Sequence, residues 1–186
     1  MVKMLYSVKD LLEEILTADQ IAILDRIGYF TLPASTKYHL SVKGGLAQHS
    51  CNVTNRALQF NESMNLGLRR DWIILMGMLH DLVKTSYGYE PNYLKNGEIS
   101  ESRPYTATPR FDIGHGSASL YLAGVTVGIE LPVPVASAIH HHMGFQFPRD
   151  TNAINTLQRN PIDMLCVLVL QWADQMATYV DEVEFK

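Results

Sequence analysis

The chain has 186 residues, 47% hydrophobic and 18% charged, which excludes a disordered chain and suffices for one domain with a full core. A net charge of −4 and a pI near 5.9 argue against a surface that coats nucleic acid through phosphate contacts, while leaving room for a local basic cleft. No apolar run is long enough to span a bilayer, the start shows no signal-peptide pattern, and Cys51 and Cys166 form no CxxC pair, so the expected setting is reducing and cytoplasmic.

Ser7-Val-Lys-Asp10 has the form of a capping box, and Leu11, Leu12, Ile15 and Leu16 follow at helical spacing. Thr17-Ala-Asp-Gln20 repeats the signal ahead of Ile21, Ile23, Leu24 and Ile27, and Gly28 reads as the stop. These first helices carry no chemistry. Residues 29–43 read as a loop. Gly44-Gly45 then open a helix that carries His49 in its first two turns and ends at Asn65 to Gly67.

The next helix is expected from Arg70-Asp71 to Lys84. Its stretch Trp72-Ile-Ile-Leu-Met-Gly-Met-Leu is apolar apart from Gly77 and runs straight into His80, Asp81 and Lys84. A buried Asp or His costs several kcal/mol unless it is paired or bound to a metal. Residues 86–113 hold Tyr87, Tyr89, Tyr93, Tyr105, Arg103 and Arg110 and keep no period, as a lid or binding loop would.

Gly114-His115-Gly116 opens a helix to about Gly128. Another, from about Val135, ends in His140-His141-His142 before Gly144 and Pro148. Asn160-Pro161 is a start signal, with Asn as the cap, for a last helix from Met164 to Asp174 whose long apolar run reads as buried. No strand alternation or internal repeat is visible, so the reading is all-α.

Helix ends can direct ligands inward from several directions. His49, His80, Asp81 and Asp174 would give one ion two imidazoles and two carboxylates, with positions left open for water. His115, His141 and His142 could hold a second ion, with Asp81 bridging. Taken singly, each residue has a plainer reading. A lone core histidine usually meets a carbonyl, Asp174 could be a surface residue, and Lys84 could be favourable charge in a last turn. His39 fits nothing and is assigned to surface or loop.

The ordered set, Gly44-Gly-Leu-Ala-Gln-His49-Ser, Leu79-His80-Asp81-Leu-Val-Lys84, Gly114-His115-Gly, Ile139-His-His141-His142 and Ala173-Asp174, resembles the HD superfamily of metal-dependent phosphohydrolases. The match runs from about residue 38 to 177. The resemblance implies one HD-type domain over residues 1–186: an N-terminal helical extension over 1–37, a helical bundle of about five core helices over 38–177, and a substrate-side loop over 86–113. It implies His49, His80, Asp81 and Asp174 as the primary metal site, with His115, His141 and His142 matching the two-metal subset. One or two divalent ions (Mn, Fe, Co, Ni, Zn or Mg) would serve.

Asp81 and Lys84 are the expected catalytic residues, and Lys84, Arg103, Arg110 and Tyr87 the expected substrate contacts. The expected activity is hydrolysis of a nucleotide or related small phosphate ester by metal-activated water, in a chain that many relatives would lead one to expect as a homo-oligomer. The alternatives are a phosphodiesterase or 3′–5′ exonuclease on RNA or single-stranded DNA, as in some exoribonuclease HD domains, and a non-catalytic nucleotide-binding domain. The 5′-deoxynucleotidase branch follows its His-Asp with an acidic pair, whereas Glu90 is the first acid here. The cyclic-dinucleotide branch follows its His pair with Gly-Tyr-Pro, whereas Met143-Gly-Phe-Gln-Phe-Pro148 stands here.

Overall fold

The computed structural model describes residues 5–87, 90–91, 93–100, 103–107, 111–146 and 149–183, and between 86 and 104 the backbone alone. Its helices are α1 (Val8–Ile15), α2 (Ala18–Arg26), α3 (Gly45–Ser63), α4 (Arg70–Leu79), α5 (His115–Tyr121), α6 (Val133–His141), α7 (Thr151–Arg159) and α8 (Pro161–Met176). α5 runs on as a π-helical turn over Leu122–Val127, and α8 as another over Ala177–Asp181. The architecture is all-α, as expected.

Both N-terminal capping boxes form. The Asp10 N–H donates to Ser7 Oγ at 3.2 Å and the Ser7 N–H to Asp10 Oδ2 at 3.0 Å; Thr17 and Gln20 repeat the exchange. Gly28, at φ +87°, turns the chain out of α2 in a left-handed conformation that costs glycine nothing. The turn seats Tyr29 in the core, where its hydroxyl donates to the Met78 carbonyl at 2.8 Å.

α3, α4, α6 and α8 form the centre of the bundle, with α8 lying along both α6 and α3, α4 between α3 and α6, and α5 packed on α6. α8 is not buried all round. Cys166, Val167, Val169, Leu170 and Ala173 face inward, whereas Leu168 is half exposed and Trp172 stacks on Phe60 at the rim. Both cysteines are free and buried, and burial pushes their thiols up to about 11.

Three glycines allow backbone to approach closely near a histidine of interest, two between helices and one between α3 and the loop before it. A Cβ at Gly77 would collide with Thr54 Oγ1 and lie 3.0 Å from Thr54 Cα, so α3 and α4 touch backbone to backbone just before His80. A Cβ at Gly116, next to His115, would lie 2.5 Å from the Ile139 carbonyl oxygen of α6. One at Gly45 would strike the Leu40 carbonyl, at the start of the helix that carries His49. Gly77→Ala is therefore expected to lower unfolding stability by about 2 kcal/mol, because the obstruction includes backbone. A urea midpoint at or above wild type would show that the helices can part freely.

The structure departs from expectation in four places. The helix ahead of His80 stops at Leu79 rather than reaching Lys84. Asp81 takes φ −107°, ψ 22°, and the chain tightens into a 3₁₀ turn over Leu82–Lys84 in which the Lys84 N–H donates to the Asp81 carbonyl. The segment read as periodless holds two antiparallel ribbons: β1 (Ser86–Tyr87) with β2 (Glu90–Pro91), and β3 (Tyr93–Ser100) with β4 (Arg103–Ala107). A register shift between Lys95 and Ser100 breaks the alternation that would have betrayed the longer pair. α7 was not anticipated; Leu157 is its one buried residue, too narrow a stripe to read. Asn160 does not cap α8 with its side chain, which instead donates to the Thr156 carbonyl at the end of α7.

Candidate metal centre

Five helices bring the candidate residues to one place. His49 stands in the second turn of α3, His80 at the C-cap of α4 with Asp81 after it, and His115 at the first residue of α5. His142 stands at the C-cap of α6 and Asp174 in the last turn of α8. His80 and His142 are built alike, with φ and ψ of −58° and −32° for one and −60° and −29° for the other. Each donates its Nδ1–H to the carbonyl three residues back, Gly77 at 2.8 Å and Ile139 at 2.7 Å. Carbonyls in the last turn of a helix need a donor, so both bonds hold for local reasons. They also fix the tautomer and leave each Nε2 as a lone pair.

Those lone pairs have no hydrogen-bond partner, although His80 is completely buried and His142 nearly so. An orphaned buried nitrogen is costly. Both point at Asp81, whose two oxygens divide the centre. Oδ2 faces His80 Nε2 at 3.4 Å and His49 Nε2 at 3.6 Å, while Oδ1 faces His142 Nε2 at 3.6 Å and His115 Nε2 at 2.7 Å. Asp174 Oδ1 closes the first side, 3.2 Å from His49 Nε2. Ligands of a first-row ion stand about 3.0–3.4 Å apart when each bond is near 2.1 Å. Within His49, His80 and Asp81, and again within Asp81, His115 and His142, the donor atoms lie within 4.8 Å of one another. The buried groups present therefore fit a divalent ion, and Asp81 belongs to both triads.

The charges are set for cation binding. Burial works to raise Asp81, but the Lys84 ammonium, with Nζ at 2.6 Å, and the bond from His115 hold it well below the usual carboxylate range. Burial likewise opposes ionisation of Asp174, and His49 outweighs it, bringing the carboxyl down to about 2. His49 is pushed down by burial yet ends up at about 9, because Asp174 and Glu182 accept from its two nitrogens.

Of the expected His141–His142 pair, only His142 turns to this centre. The His141 ring packs on His140 and Phe145, and burial lowers its pKa. His140 meets Ser117 Oγ at 3.1 Å. His39, expected at the surface, instead lies with its ring 4.8 Å from that of His49, and burial brings its pKa down to about 4.

Glu182 escaped the sequence reading altogether. Its side chain is 1% exposed, with carboxylate oxygens 3.0 and 3.1 Å from His49 Nδ1. One faint signal existed: 174 and 182 are eight apart, the spacing of a shared helix face. Lys84 lines the same cleft of 570 Å³ as His39, His49, Asp81, His115, His142 and Asp174. Arg110 lies outside the described residues, as do the side chains of Tyr87 and Arg103. Among the described residues, no helix is long and apolar enough to cross a membrane.

No protein-family model matches the chain, and no solved structure does. The chain is similar to the dihydroneopterin 2′,3′-cyclic phosphate phosphodiesterase of Methanocaldococcus jannaschii, 25% identical over 158 residues that cover 81% of this chain and 53% of the relative. The chain thus spans about half the length of that relative. A phosphodiesterase relative and a buried His/Asp cluster able to hold a metal together support metal-dependent phosphoester hydrolysis in general.

Proposed function

We propose that this chain is a metal-dependent phosphohydrolase of the HD type, acting on a nucleotide or a related ring-bearing phosphate ester. The observation that carries the reading is the pair His80 and His142, each locked by its own helix with a bare Nε2 turned onto the shared Asp81. His49 and Asp174 would complete one side and His115 the other. A bound divalent ion would lower the pKa of a water molecule towards neutrality and neutralise charge developing on phosphoryl oxygens. Asp81 keeps its negative charge at working pH and so can hold one ion or bridge two. Lys84 sets an ammonium group at the same cleft, within reach of a phosphate oxygen. His and Asp ligation of this kind suits Mn, Fe, Co, Ni or Zn, and Mg more weakly.

A neighbouring cavity would suit the organic part of the substrate. A second cavity of 650 Å³ shares His39, Thr178 and Tyr179 with the metal cleft and is walled further by Tyr38, Glu182 and Val183. Tyr38 and Tyr179 are 75% and 68% exposed, and Lys37 Nζ lies over the Tyr38 ring at 4.8 Å. A phosphate at the centre would leave the rest of the ester beside them, and tyrosine faces favour a planar ring. The relative's name, with its 2′,3′-cyclic phosphate, favours a cyclic phosphodiester as the first ester to try.

The test is a screen of 2′,3′-cyclic nucleotides, mononucleotides and a labelled oligonucleotide with Mn²⁺, Fe²⁺, Co²⁺, Ni²⁺, Zn²⁺ or Mg²⁺. The expected outcome is turnover of a small nucleotide, with Tyr179→Ala raising KM about tenfold at little cost in kcat. Degradation of the oligonucleotide alone would favour the nuclease alternative. No turnover with any ion would remove the enzyme, and tight nucleotide binding in the same samples would favour the non-catalytic nucleotide-binding domain.

A further inference from the structure

The C-terminal turn after α8 carries a carboxylate that the chemistry above does not use. The face of α3 that receives it is a row of polar residues at helical spacing: His49, Asn52 and Arg56. Asn52 Nδ2 donates to Glu182 Oε1 at 2.8 Å, and Gln48 Nε2 donates to Asn52 Oδ1 at 2.8 Å, which fixes the orientation of the Asn52 amide. Arg56 Nε donates to Asp181 Oδ2 at 2.7 Å, and its Nη2 pairs with Asp181 Oδ1. The turn is π-helical, and the extra residue it takes up brings Asp181 and Glu182 onto this row while Asp174 stays on the other side of His49. His49 is therefore held between two carboxylates of one element, Asp174 at Nε2 and Glu182 at Nδ1.

We propose that Glu182 is a positioning residue for the metal centre: it accepts from His49 Nδ1–H, directs the Nε2 lone pair at the ion, and makes docking of residues 177–183 on α3 part of metal binding. This rests on the proposed metal centre and goes beyond it, since it gives the C-terminal turn a role. His80 and His142 obtain the same service from carbonyls in their own helices. His49 stands in the second turn of a long helix rather than at its end, so its Nδ1 must find an acceptor from elsewhere in the chain. Outer-shell acceptors of this kind orient metal-binding histidines, and their loss typically weakens metal binding by about 10–100-fold.

The experiment is a Mn²⁺ titration of the full chain, by calorimetry or by the loss of free-ion EPR signal, for wild type, Glu182→Ala and Glu182→Gln. Each is paired with a melting curve in chelator. In Glu182→Gln, the amide oxygen can still accept from both Asn52 and His49. The expected result is Mn²⁺ affinity about 10–100-fold weaker in Glu182→Ala and restored to within a few-fold in Glu182→Gln, with the two variants melting alike in chelator. Two outcomes overturn the inference while leaving the hydrolase reading standing. One is Glu182→Ala binding Mn²⁺ as wild type does; the other is Glu182→Gln as weak as Glu182→Ala. Wild type that takes up no divalent ion overturns both. Wild type that binds Mn²⁺ with the expected pattern but turns over no ester upholds the inference and ends the hydrolase reading.

Discussion

Asp81→Ala is expected to reduce kcat/KM by about a thousandfold or more and to strip the centre of tightly held metal. No other side chain touches so many of its members: His49, His80, His115, His142 and Lys84 all lie within 3.6 Å of one of its two oxygens. Removing it takes away the carboxylate 2.6 Å from the Lys84 ammonium, whose side chain is 12% exposed. Loss of one partner of a buried ion pair costs about 3–5 kcal/mol. The metal-free variant should therefore unfold at a clearly lower urea concentration than metal-free wild type. Asp81→Asn keeps the volume and separates the two effects, with activity lost and less of the fold's stability. Wild-type turnover in either variant would mean that the centre of the chemistry has been misassigned.

Removal of metal from the wild-type protein should produce the next largest change. An ion present at a thousand times its dissociation constant contributes about 4 kcal/mol to stability. For a chain of this length that is a rise of about 8–16 °C in Tm, reversed by chelator. Binding should release about one proton at pH 7, because His49 must surrender the proton that Asp174 and Glu182 stabilise against the opposing effect of burial, which its value of about 9 reflects. Calorimetry in two buffers of different ionisation enthalpy counts that proton.

In chelator the pH dependence has a defined sign. His49 titrates higher folded than at its ordinary 6.5, so its contribution is complete below 6.5 and lost as the pH rises through about 9. Asp174 is depressed to about 2, so its contribution is complete above 3.8 and lost as the pH falls through 2. Buried His39 works against the acid side, since its value of about 4 lies below the ordinary 6.5 and stability is lost as the pH falls from 6.5 through 4. Chelated protein should thus melt highest near pH 6.5. A Tm that does not respond to divalent ions or to chelator would remove the metal centre.

Much of this protein is legible residue by residue because the deciding physics is local. A capping box needs residues three apart, so Ser7–Asp10 and Thr17–Gln20 announce their helices directly. The apolar run ahead of His80 requires burial, and burial of His80 and Asp81 requires a partner. The resemblance to HD phosphohydrolases comes from the order of such motifs and needs no coordinates.

Position within the centre is a different matter. Neighbouring residues on a helix point about 100° apart, so only one of His140, His141 and His142 can face a given point. The rotation of α6 decides which, and it depends on how α6 packs on α8, α5 and α4, with Gly116 letting α5 reach the Ile139 and His140 carbonyls. His39 and Glu182 arrive from a loop and a π-helical turn, where no period marks a residue as inward. The 3₁₀ turn after Asp81, which brings Lys84 back onto it, follows from tertiary contacts such as the Val83 N–H donating to Ser119 Oγ. The sequence by itself determined most of the helices, the motif order and the candidate ligands, because those depend on neighbours in the chain. Only the tertiary structure decided which nitrogen faces which oxygen, because that depends on how the helices are rotated against one another.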